Sequence, residues 1–265
     1  MTKPPIFVIN LDRSIERMRL FEYEAKRVGL PFLRWSATDG TTTDRSNSHI
    51  YDSDTILKAH GSHLTGGELG CYLSHIRLWQ TALTRTMKWI LVLEDDATID
   101  TRLLSVLDNI NRLPDDWEVL ILQRASAKKP FSRHRFLPDL DVARHFHIGY
   151  FATGYLIHRR ALERLEDHLL PVRWPIDHWD RWWAIYGLVV YRVDADLVVQ
   201  NEALESTMQR DLDNKRLEQP ATVQFLLMRR YWRSKLKLFR LYRLGRTVIE
   251  NILRQRFEVR LGFRK

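Results

Sequence analysis

Residues 89–96 read Trp-Ile-Leu-Val-Leu-Glu-Asp-Asp, an apolar run of strand length that ends in three carboxylates. Apolar residues without alternation predict a strand buried on both faces of a sheet. Because open α/β sheets bind ligands at their carboxyl edge, this strand would deliver Glu94, Asp95 and Asp96 to a binding edge. Carboxylates grouped there can hold a hard divalent cation. The same eight residues also fit a strand followed by a solvated acidic turn.

Apolar runs alternate with helical spacing along most of the chain, which predicts an α/β fold with a mostly parallel central sheet. The predicted strands are residues 6–11, 32–37, 89–93, 117–122, 148–157 and 188–193. The predicted helices are residues 14–28, a helix opened by the capping box Thr65-Gly66-Gly67-Glu68, residues 101–110 and residues 160–170. The polar connections 39–63 and 123–147 are predicted to be irregular loops, and so long a loop is usually functional or mobile.

Composition excludes several classes of protein. With 45% hydrophobic and 28% charged residues among 265, the chain has the composition of a globular protein. Its single Cys71 excludes an intramolecular disulfide and a multi-cysteine zinc site. We expect no secretory signal, because no apolar segment of the required length follows the N-terminus, and no membrane span, because no apolar run approaches 18 residues. No glycine pattern of a Rossmann or Walker phosphate loop occurs.

The net charge of +9 is concentrated at the C-terminal end. Residues 229–265 carry thirteen Lys and Arg against two Glu, so the preceding part of the chain is close to neutral. We predict a catalytic domain in residues 1–225 and a basic amphipathic helical tail in residues 226–265. Such a tail can lie on an anionic membrane surface. Alternatively, its apolar face packs on the domain or on a second subunit; nucleic acid is a weaker partner, since no recognised module accompanies the charge.

Several further residues could serve a site or merely the fold. Arg13 and Arg17 follow the first strand and would reach the acidic edge as phosphate ligands, or they are solvated helix charges. His75 lies on the same helical stripe as Glu68, and a packed histidine is the commoner case. Segment 175–183 is dense in aromatics and carboxylates, which suits a glycan acceptor site or a tryptophan core in which Asp177 caps a helix.

The order of these segments resembles glycosyltransferase family 25, which includes lipopolysaccharide and lipooligosaccharide glycosyltransferases and collagen galactosyltransferases. The most specific match is Leu-Thr-Gly-Gly-Glu-Leu-Gly-Cys-Tyr-Leu-Ser-His (64–75) followed by Leu-Val-Leu-Glu-Asp-Asp (91–96). The other matching segments are Val-Ile-Asn-Leu-Asp-Arg-Ser-Ile-Glu-Arg (8–17), Ser-Ala-Thr-Asp-Gly (36–40), Thr-Gly-Tyr-Leu-Ile (153–157) and Pro-Ile-Asp-His-Trp (175–179). The resemblance spans roughly residues 6–205 and leaves the tail unmatched.

The resemblance implies a GT-A-type fold and a metal-dependent, inverting transfer of galactose or glucose from a UDP-sugar to a glycan hydroxyl. It maps the family's acidic metal motif onto this chain, with Asp96 and Glu94 expected to hold Mn²⁺ or Mg²⁺. Asp177 is then the first candidate for the base and Asp180 the second. The expected donor-binding residues are Asn10, Arg13, Arg17, Thr38, Asp39, His75, Glu94 and Asp95. The expected acceptor-binding residues are Gly154, Tyr155, His178 and Trp179.

The expected acceptor is a glycolipid or oligosaccharide of the lipopolysaccharide type, which would place the protein in the cytoplasm, peripherally on the inner face of the cytoplasmic membrane. Two other functions remain open from the residues. A metal-dependent phosphoryl-transfer or hydrolytic enzyme would also use an acidic strand end. A basic membrane-binding or nucleic-acid-binding protein without catalysis would explain the tail but not the acidic edge.

Overall fold

The computed structural model describes residues 4–124 and 130–201, together with positions 234, 237, 238, 241, 242 and 245. The predicted tail 226–265 therefore lies outside the described residues apart from those six positions. The boundary between the two predicted domains, at residue 225, also lies outside them and stays a prediction.

Eight of the described strands form one sheet, in the order β2-β1-β3-β8-β5-β9-β7-β6. The strands are β1 (Ile6–Asn10), β2 (Leu33–Ser36), β3 (Trp89–Glu94), β4 (Ala97–Ile99), β5 (Val119–Ile121), β6 (Ser132–Leu137), β7 (Leu140–Arg144), β8 (Gly154–His158), β9 (Val190–Val193) and β10 (Val198–Gln200). Following the pairings across the sheet, six strands run in one direction and only β7 and β8 run against them. Strands β4 and β10 form a separate antiparallel pair. The predicted α/β class with a mostly parallel sheet is confirmed.

Helices cover both faces of this sheet. They are α1 (Ile15–Val28), α2 (Ser53–His60), α3 (Gly66–Thr84), α4 (Arg102–Asp108), α5 (Arg159–Leu165) and α6 (Trp179–Arg181), which continues into a π-helical turn (Trp182–Tyr186). Short 3₁₀ helices are formed by Gly40–Thr42, Ile110–Arg112 and Glu166–His168. None of the helices within the described residues is long and apolar enough to cross a membrane.

The side chains of each central strand are shared between two hydrophobic cores. Phe7 and Ile9 of β1 point into the core on the α3 side, whereas Ile6 and Val8 point into the core on the side of α1 and α4. This alternation explains why β1 and β3 are apolar along their whole length, because both of their faces are buried. The sheet therefore has no solvated face at its centre, and a ligand can approach β1 and β3 only from their ends.

The capping box predicted for α3 is confirmed. The Thr65 hydroxyl accepts the Glu68 amide at 3.0 Å, and the Glu68 carboxylate accepts the Thr65 amide at 2.6 Å. Both bonds satisfy amides that the first turn of a helix leaves without partners. Capping of α3 is therefore sufficient to explain why a glutamate is present at position 68.

The structure corrects three local predictions. Segment 39–63 contains α2, which Asp52 caps by accepting the Thr55 amide at 2.9 Å. Segment 123–147 contains the hairpin of β6 and β7; β6 is an edge strand with four polar or basic residues at its start, so it lacks the apolar alternation of a strand. The strand predicted at 148–157 begins only at Gly154, because Gly149 has φ +90°, outside the range of an extended strand.

Candidate active site

The site is built where two neighbouring parallel strands end. In the register of β1 and β3, Ile9 pairs with Glu94, so Asn10 and the three carboxylates that begin at Glu94 meet at one edge. The chain then turns into β4, which starts at Ala97. The prediction that the acidic run lies at the carboxyl edge of the sheet is confirmed.

Arg17 lies over this edge and contacts two of the carboxylates. Its guanidinium forms an ion pair with Asp95, and its Nη2 lies 2.8 Å from Oδ2 of Asp96. Asn10 adds a further contact, since its Nδ2 donates to Oδ2 of Asp95 at 2.6 Å. The first helix thus brings Arg17 to the place that the sequence predicted, where it offsets the charge of buried carboxylates.

Asp96 is the carboxylate best suited to a cation. Its Oδ2 accepts a hydrogen bond from Nε2 of Gln200 at 3.1 Å, whereas its buried Oδ1 has no hydrogen-bond partner among the described residues. Burial, and then the neighbouring charge of Glu94, raise the pKa of Asp96 to about 6. A buried carboxylate oxygen without a donor fits the oxygen-rich coordination of Mg²⁺ or Mn²⁺.

Two side chains of helix α3 contact the carboxylate of Glu94. The Cys71 thiol donates to Oε1 of Glu94 at 3.3 Å, and Nε2 of His75 lies 3.5 Å from the same oxygen. Burial acts to raise the pKa of Glu94, but its contacts with His75 and Cys71 outweigh burial and leave that pKa below its ordinary value. Burial also raises the pKa of the Cys71 thiol well above its usual range.

His75, a predicted donor ligand, is fully buried beneath Glu94. Its Nδ1 lies 2.6 Å from the hydroxyl of Tyr155, which also accepts Nε1–H of Trp79 at 2.9 Å. Tyr155, a predicted acceptor ligand, is likewise fully buried and stacks beside His75. Both residues therefore lie in the layer beneath the cleft, where they position Glu94.

The opposite wall of the cleft comes from the segment after β2 and from the start of α3. Arg13 forms an ion pair with Asp39, and the Thr38 amide donates to Oγ of Ser74 at 2.8 Å. Arg77 donates to the Thr38 hydroxyl at 2.8 Å. The predicted donor residues Arg13, Thr38 and Asp39 are thus brought together on one wall.

Close backbone contact shapes this wall. A Cβ on Gly40 would lie 2.2 Å from the carbonyl oxygen of Gly66 and 2.3 Å from the amide nitrogen of Gly70. Only glycine at position 40 lets the 3₁₀ turn lie against the first turn of α3. Gly40 was not among the predicted site residues, although the glycines of residues 66–70 were a signal for such close packing.

Together these walls enclose about 790 Å³ of space, counting the part open to solvent. The positive end of the α3 dipole faces the cleft, which favours an anionic ligand. The cleft is lined by Ile9, Leu11, Arg13, Ser14, Arg17, Ala37, Thr38, Asp39, Gly40, Thr41, Gly66, Gly67, Gly70, Cys71, Ser74, Glu94, Asp95 and Asp96.

Asp177, the first candidate for the base, has a strongly raised pKa. Burial, followed by the carboxylates of Glu94 and Glu68, raises the pKa of Asp177 to about 7. Asp180 has a structural contact instead, because its Oδ1 accepts the Ile148 amide at 2.7 Å. The two candidate bases therefore differ: Asp177 is coupled to the acidic edge, whereas Asp180 anchors the loop before β8.

The other predicted acceptor residues lie at different depths. Trp179 is fully buried and donates to the carbonyl of Phe151 at 2.6 Å, so no face of its indole is open to a sugar in this structure. Gly154 starts β8, where a Cβ would lie 2.5 Å from a side-chain carbon of Val198. His178 packs against the exposed Tyr150 with the two rings tilted by 52°, and burial keeps the pKa of His178 well below its usual range.

Sequence comparison matches the profile of Glycosyltransferase family 25 (LPS biosynthesis protein) to residues 3–179, about two thirds of the chain. Human procollagen galactosyltransferase 2 is 27% identical over 60% of the chain and 27% of its own length. A glycosyltransferase 25 family member of Drosophila pseudoobscura pseudoobscura is 28% identical over 65% of the chain and 30% of its own length. The chain thus matches less than a third of the length of either relative.

Among solved structures, Drosophila beta-1,4-galactosyltransferase 7, crystallised as a variant with manganese, UDP-Gal and xylobiose, is similar at a TM-score of 0.41. Its sequence is 12% identical, and the similarity covers 86% of this chain and 80% of that one. The residues that line the cleft, from Ile9 to Asp96, fall within the segment matched by the family profile.

Proposed function

Because the chain belongs to glycosyltransferase family 25, we propose that it transfers a hexose from a UDP-sugar to a hydroxyl of a glycan. The observation that carries the proposal is the cleft in which the buried carboxylates of Asp95 and Asp96 face the N-terminal end of α3. A cleft with an anion-favouring helix end on one side and cation-binding oxygens on the other suits a nucleoside diphosphate.

The donor would be held by residues from both walls. Arg17 is close enough to Asp95 and Asp96 to share a diphosphate with a cation bound there. Arg13, Thr38 and Asp39 would contact the nucleoside side, with Asn10 fixing the orientation of Asp95. The human relative carries the name of a galactosyltransferase, which supports galactose as the donor sugar, and glucose is the alternative.

The residues at the acidic edge fit a divalent cation, Mn²⁺ or Mg²⁺. Asp96 would offer its buried Oδ1, which has no donor among the described residues, and Glu94 would complete the oxygen ligands. When bound, the cation supplies positive charge that stabilises the diphosphate as a leaving group. Before the donor binds, the positive charge of Arg17 offsets the negative charge of Asp95 and Asp96.

Asp177 is proposed as the base of an inverting reaction. The acceptor oxygen forms a bond to the anomeric carbon while the bond from that carbon to the diphosphate oxygen breaks, with its electron pair leaving on UDP. The acceptor proton passes to the Asp177 carboxylate, whose pKa of about 7 suits a base near neutral pH.

We propose a lipopolysaccharide or lipooligosaccharide glycan as the acceptor, in line with the description of the family. The procollagen galactosyltransferases among the relatives make a collagen-type acceptor the specific second candidate. Acceptor profiling with truncated glycolipids beside procollagen peptides would discriminate between the two. Transfer to the peptides alone would contradict the glycolipid proposal.

The tail is proposed to hold the protein on an anionic membrane surface, on the cytoplasmic face where such a glycolipid would be extended. Leu238, Leu241 and Tyr242 are helical and 67%, 54% and 66% exposed. Replacing these three residues by serine in the full chain should reduce sedimentation with phosphatidylglycerol vesicles. Unchanged sedimentation would contradict the membrane proposal while leaving the transfer reaction untouched.

The function itself is tested by a donor screen. Purified protein is incubated with a panel of UDP-sugars, with and without Mn²⁺ and with and without a glycan acceptor, and UDP release is measured. We expect UDP release to depend on one donor and to increase with acceptor. Metal-dependent release of inorganic phosphate without any acceptor sugar would instead indicate a phosphoryl-transfer or hydrolytic enzyme.

A further inference from the structure

A second group of metal-ligating atoms lies directly under the cleft. Cys71 and His75 are four residues apart on α3, so both side chains lie on the helix face that packs against the end of β3. Glu94 is the last residue of that strand. One ligand atom from each of the three side chains lies within 4.8 Å of the other two.

The two distances to Glu94 within this group are those between ligands of one small cation. Sγ of Cys71 is 3.3 Å and Nε2 of His75 is 3.5 Å from Oε1 of Glu94. Zinc binds sulfur at about 2.3 Å and nitrogen or oxygen at about 2.0–2.1 Å in tetrahedral geometry, which separates neighbouring ligand atoms by roughly 3.3–3.6 Å. A cation could therefore enter with little movement of the helix or the strand.

An independent observation at His75 also indicates a ligand. The side chain is fully buried, and apart from the 3.5 Å approach to Oε1 of Glu94 its Nε2 has no hydrogen-bond partner among the described residues. Its other ring nitrogen is occupied by the hydroxyl of Tyr155, which Trp79 holds in turn. Metal-binding histidines are usually fixed in this way through the ring nitrogen that does not bind the metal.

The donor atoms select the class of cation. A thiol sulfur and an imidazole nitrogen beside one carboxylate suit a borderline-soft ion such as Zn²⁺, whereas Mg²⁺ and Mn²⁺ prefer oxygen. Cys71 and Glu94 also line the cleft, so a cation held there would keep one open position towards it. The group is thus accessible from the cleft, although His75 is buried.

We propose that Cys71, His75 and Glu94 form a binding site for a zinc-class divalent cation beneath the donor cleft. On binding, the Cys71 thiol loses its proton to the buffer and the thiolate sulfur bonds to the metal. Glu94 would then coordinate this cation through its carboxylate. It would no longer be available to the Mn²⁺ or Mg²⁺ that is proposed to bind with the donor. Inhibition of transfer follows from this competition and rests on the proposed function, whereas binding of the cation does not.

Cobalt provides the test of binding, because Co²⁺ replaces Zn²⁺ at such sites and a thiolate ligand gives it a charge-transfer absorption band. Cys71 is the chain's only cysteine, so this band has one source. We expect titration of the full chain with Co²⁺ to produce the band, saturating at one equivalent and reversed by Zn²⁺. Absence of a saturable band would overturn the proposal.

Variants identify the other two ligands. Cys71→Ser should remove the band, and His75→Gln and Glu94→Gln should each weaken Co²⁺ binding by at least about tenfold, the loss of one ligand. His134→Gln, at an exposed histidine of β6, is the matched control and should bind Co²⁺ like the wild type. If His75→Gln fails to fold, Glu94→Gln still decides. A band of unchanged affinity in Glu94→Gln would reduce the site to a lone thiol and overturn the proposal.

The inhibition arm uses Zn²⁺ at a fixed concentration of Mn²⁺. Zn²⁺ should lower the transfer rate of the wild type, while Cys71→Ser, compared with its own zinc-free rate, should lose most of this inhibition. Equal inhibition of both proteins would show that zinc acts elsewhere. If no transfer is ever detected, the proposed function fails, and the cobalt titration still decides the site.

Discussion

Nη2 of Arg17 lies 2.8 Å from Oδ2 of Asp96, and the same guanidinium forms an ion pair with Asp95. One cation thus compensates two adjacent buried carboxylates that would otherwise repel each other. Arg17 also lines the cleft, so its guanidinium can contact a ligand bound there. The helix that follows β1 therefore supplies both the charge balance of the acidic edge and a contact for a diphosphate.

Replacing Arg17 by lysine should weaken donor binding. Lysine keeps the charge, but it cannot contact two carboxylates and a phosphate in the planar arrangement of a guanidinium. We expect KM for the UDP-sugar to rise about tenfold, the equivalent of one charge-assisted hydrogen bond, with a smaller change in kcat. Arg19→Lys, at an exposed position of the same helix, is the control. An unchanged KM in Arg17→Lys would exclude a donor contact.

Asp96→Asn should remove the cation that the donor needs. The amide offers one neutral oxygen in place of a carboxylate, so we expect transfer to fall by at least about 100-fold, equivalent to about 2.7 kcal/mol of charge stabilisation. Asp100→Asn is the matched control. Asp100 follows β4 and forms an ion pair with Arg102, and it does not line the cleft. Chelation with EDTA should suppress the wild type to a similar extent. Full wild-type activity in EDTA would remove the cation from the reaction.

The candidate base makes activity depend on pH. With a pKa of about 7, Asp177 is protonated and inactive in acid, so kcat/KM should rise as the pH increases through about 7. Asp177→Asn should lower kcat by roughly 10²–10⁴-fold and abolish this rise. Asp180→Asn should keep the rise, because Asp180 accepts a backbone amide. Loss of the rise in Asp180→Asn alone would move the base to that residue.

The sequence predicted the fold and the site to different extents. Central strands such as β1 and β3 were predictable, because burial on both faces leaves an uninterrupted apolar run. The hairpin of β6 and β7 was not, since an edge strand such as β6 exposes polar residues to water. Helix α2 was hidden for a similar reason, because only Ile56 and Ala59 of its eight residues are buried.

At the site, residues that share one element could be grouped from spacing, whereas contacts between elements could not. Cys71 and His75 lie on a stripe that the sequence indicated, but their approach to Glu94 depends on how α3 packs against β3. The burial of Tyr155 and Trp179 was likewise unpredictable, because aromatic composition suits a sugar site and a core equally. Ser74 and Gln200 carry no local signal for their contacts with Thr38 and Asp96.

The raised pKa of Asp177 should also appear in the stability of the protein. Its folded-state pKa of about 7 lies above its ordinary value of 3.8, so the stabilising contribution is present in acid and is lost as the pH rises to about 7. Asp177→Asn has no charge to bury. Its free energy of unfolding relative to the wild type should therefore increase by up to about 1.4 kcal/mol per pH unit between pH 5 and 7, then level off. Urea unfolding at four pH values measures this, and a difference independent of pH would contradict the assignment.

The contact between the 3₁₀ turn and α3 predicts the effect of a single methyl group. In Gly40→Ala, the new Cβ would meet the backbone of Gly66 and Gly70 at 2.2 and 2.3 Å, and backbone atoms cannot rotate away as a side chain would. The 3₁₀ turn must then move away from α3, which displaces Asp39 and changes the width of the cleft. We expect a loss of about 1–3 kcal/mol in the free energy of unfolding, together with a higher donor KM.

The control for this substitution is Gly29→Ala. Gly29 has φ +70°, and no atom lies within 4 Å of the place that a methyl group would take, so alanine there adds only backbone strain of about 1 kcal/mol. Gly29 ends α1 and is not among the residues that line the cleft, so donor KM should stay at the wild-type value. Urea unfolding and donor titration of both variants separate the two effects. A Gly40→Ala protein with wild-type stability and KM would show that the wall tolerates a side chain and that its close packing does not shape the donor cleft.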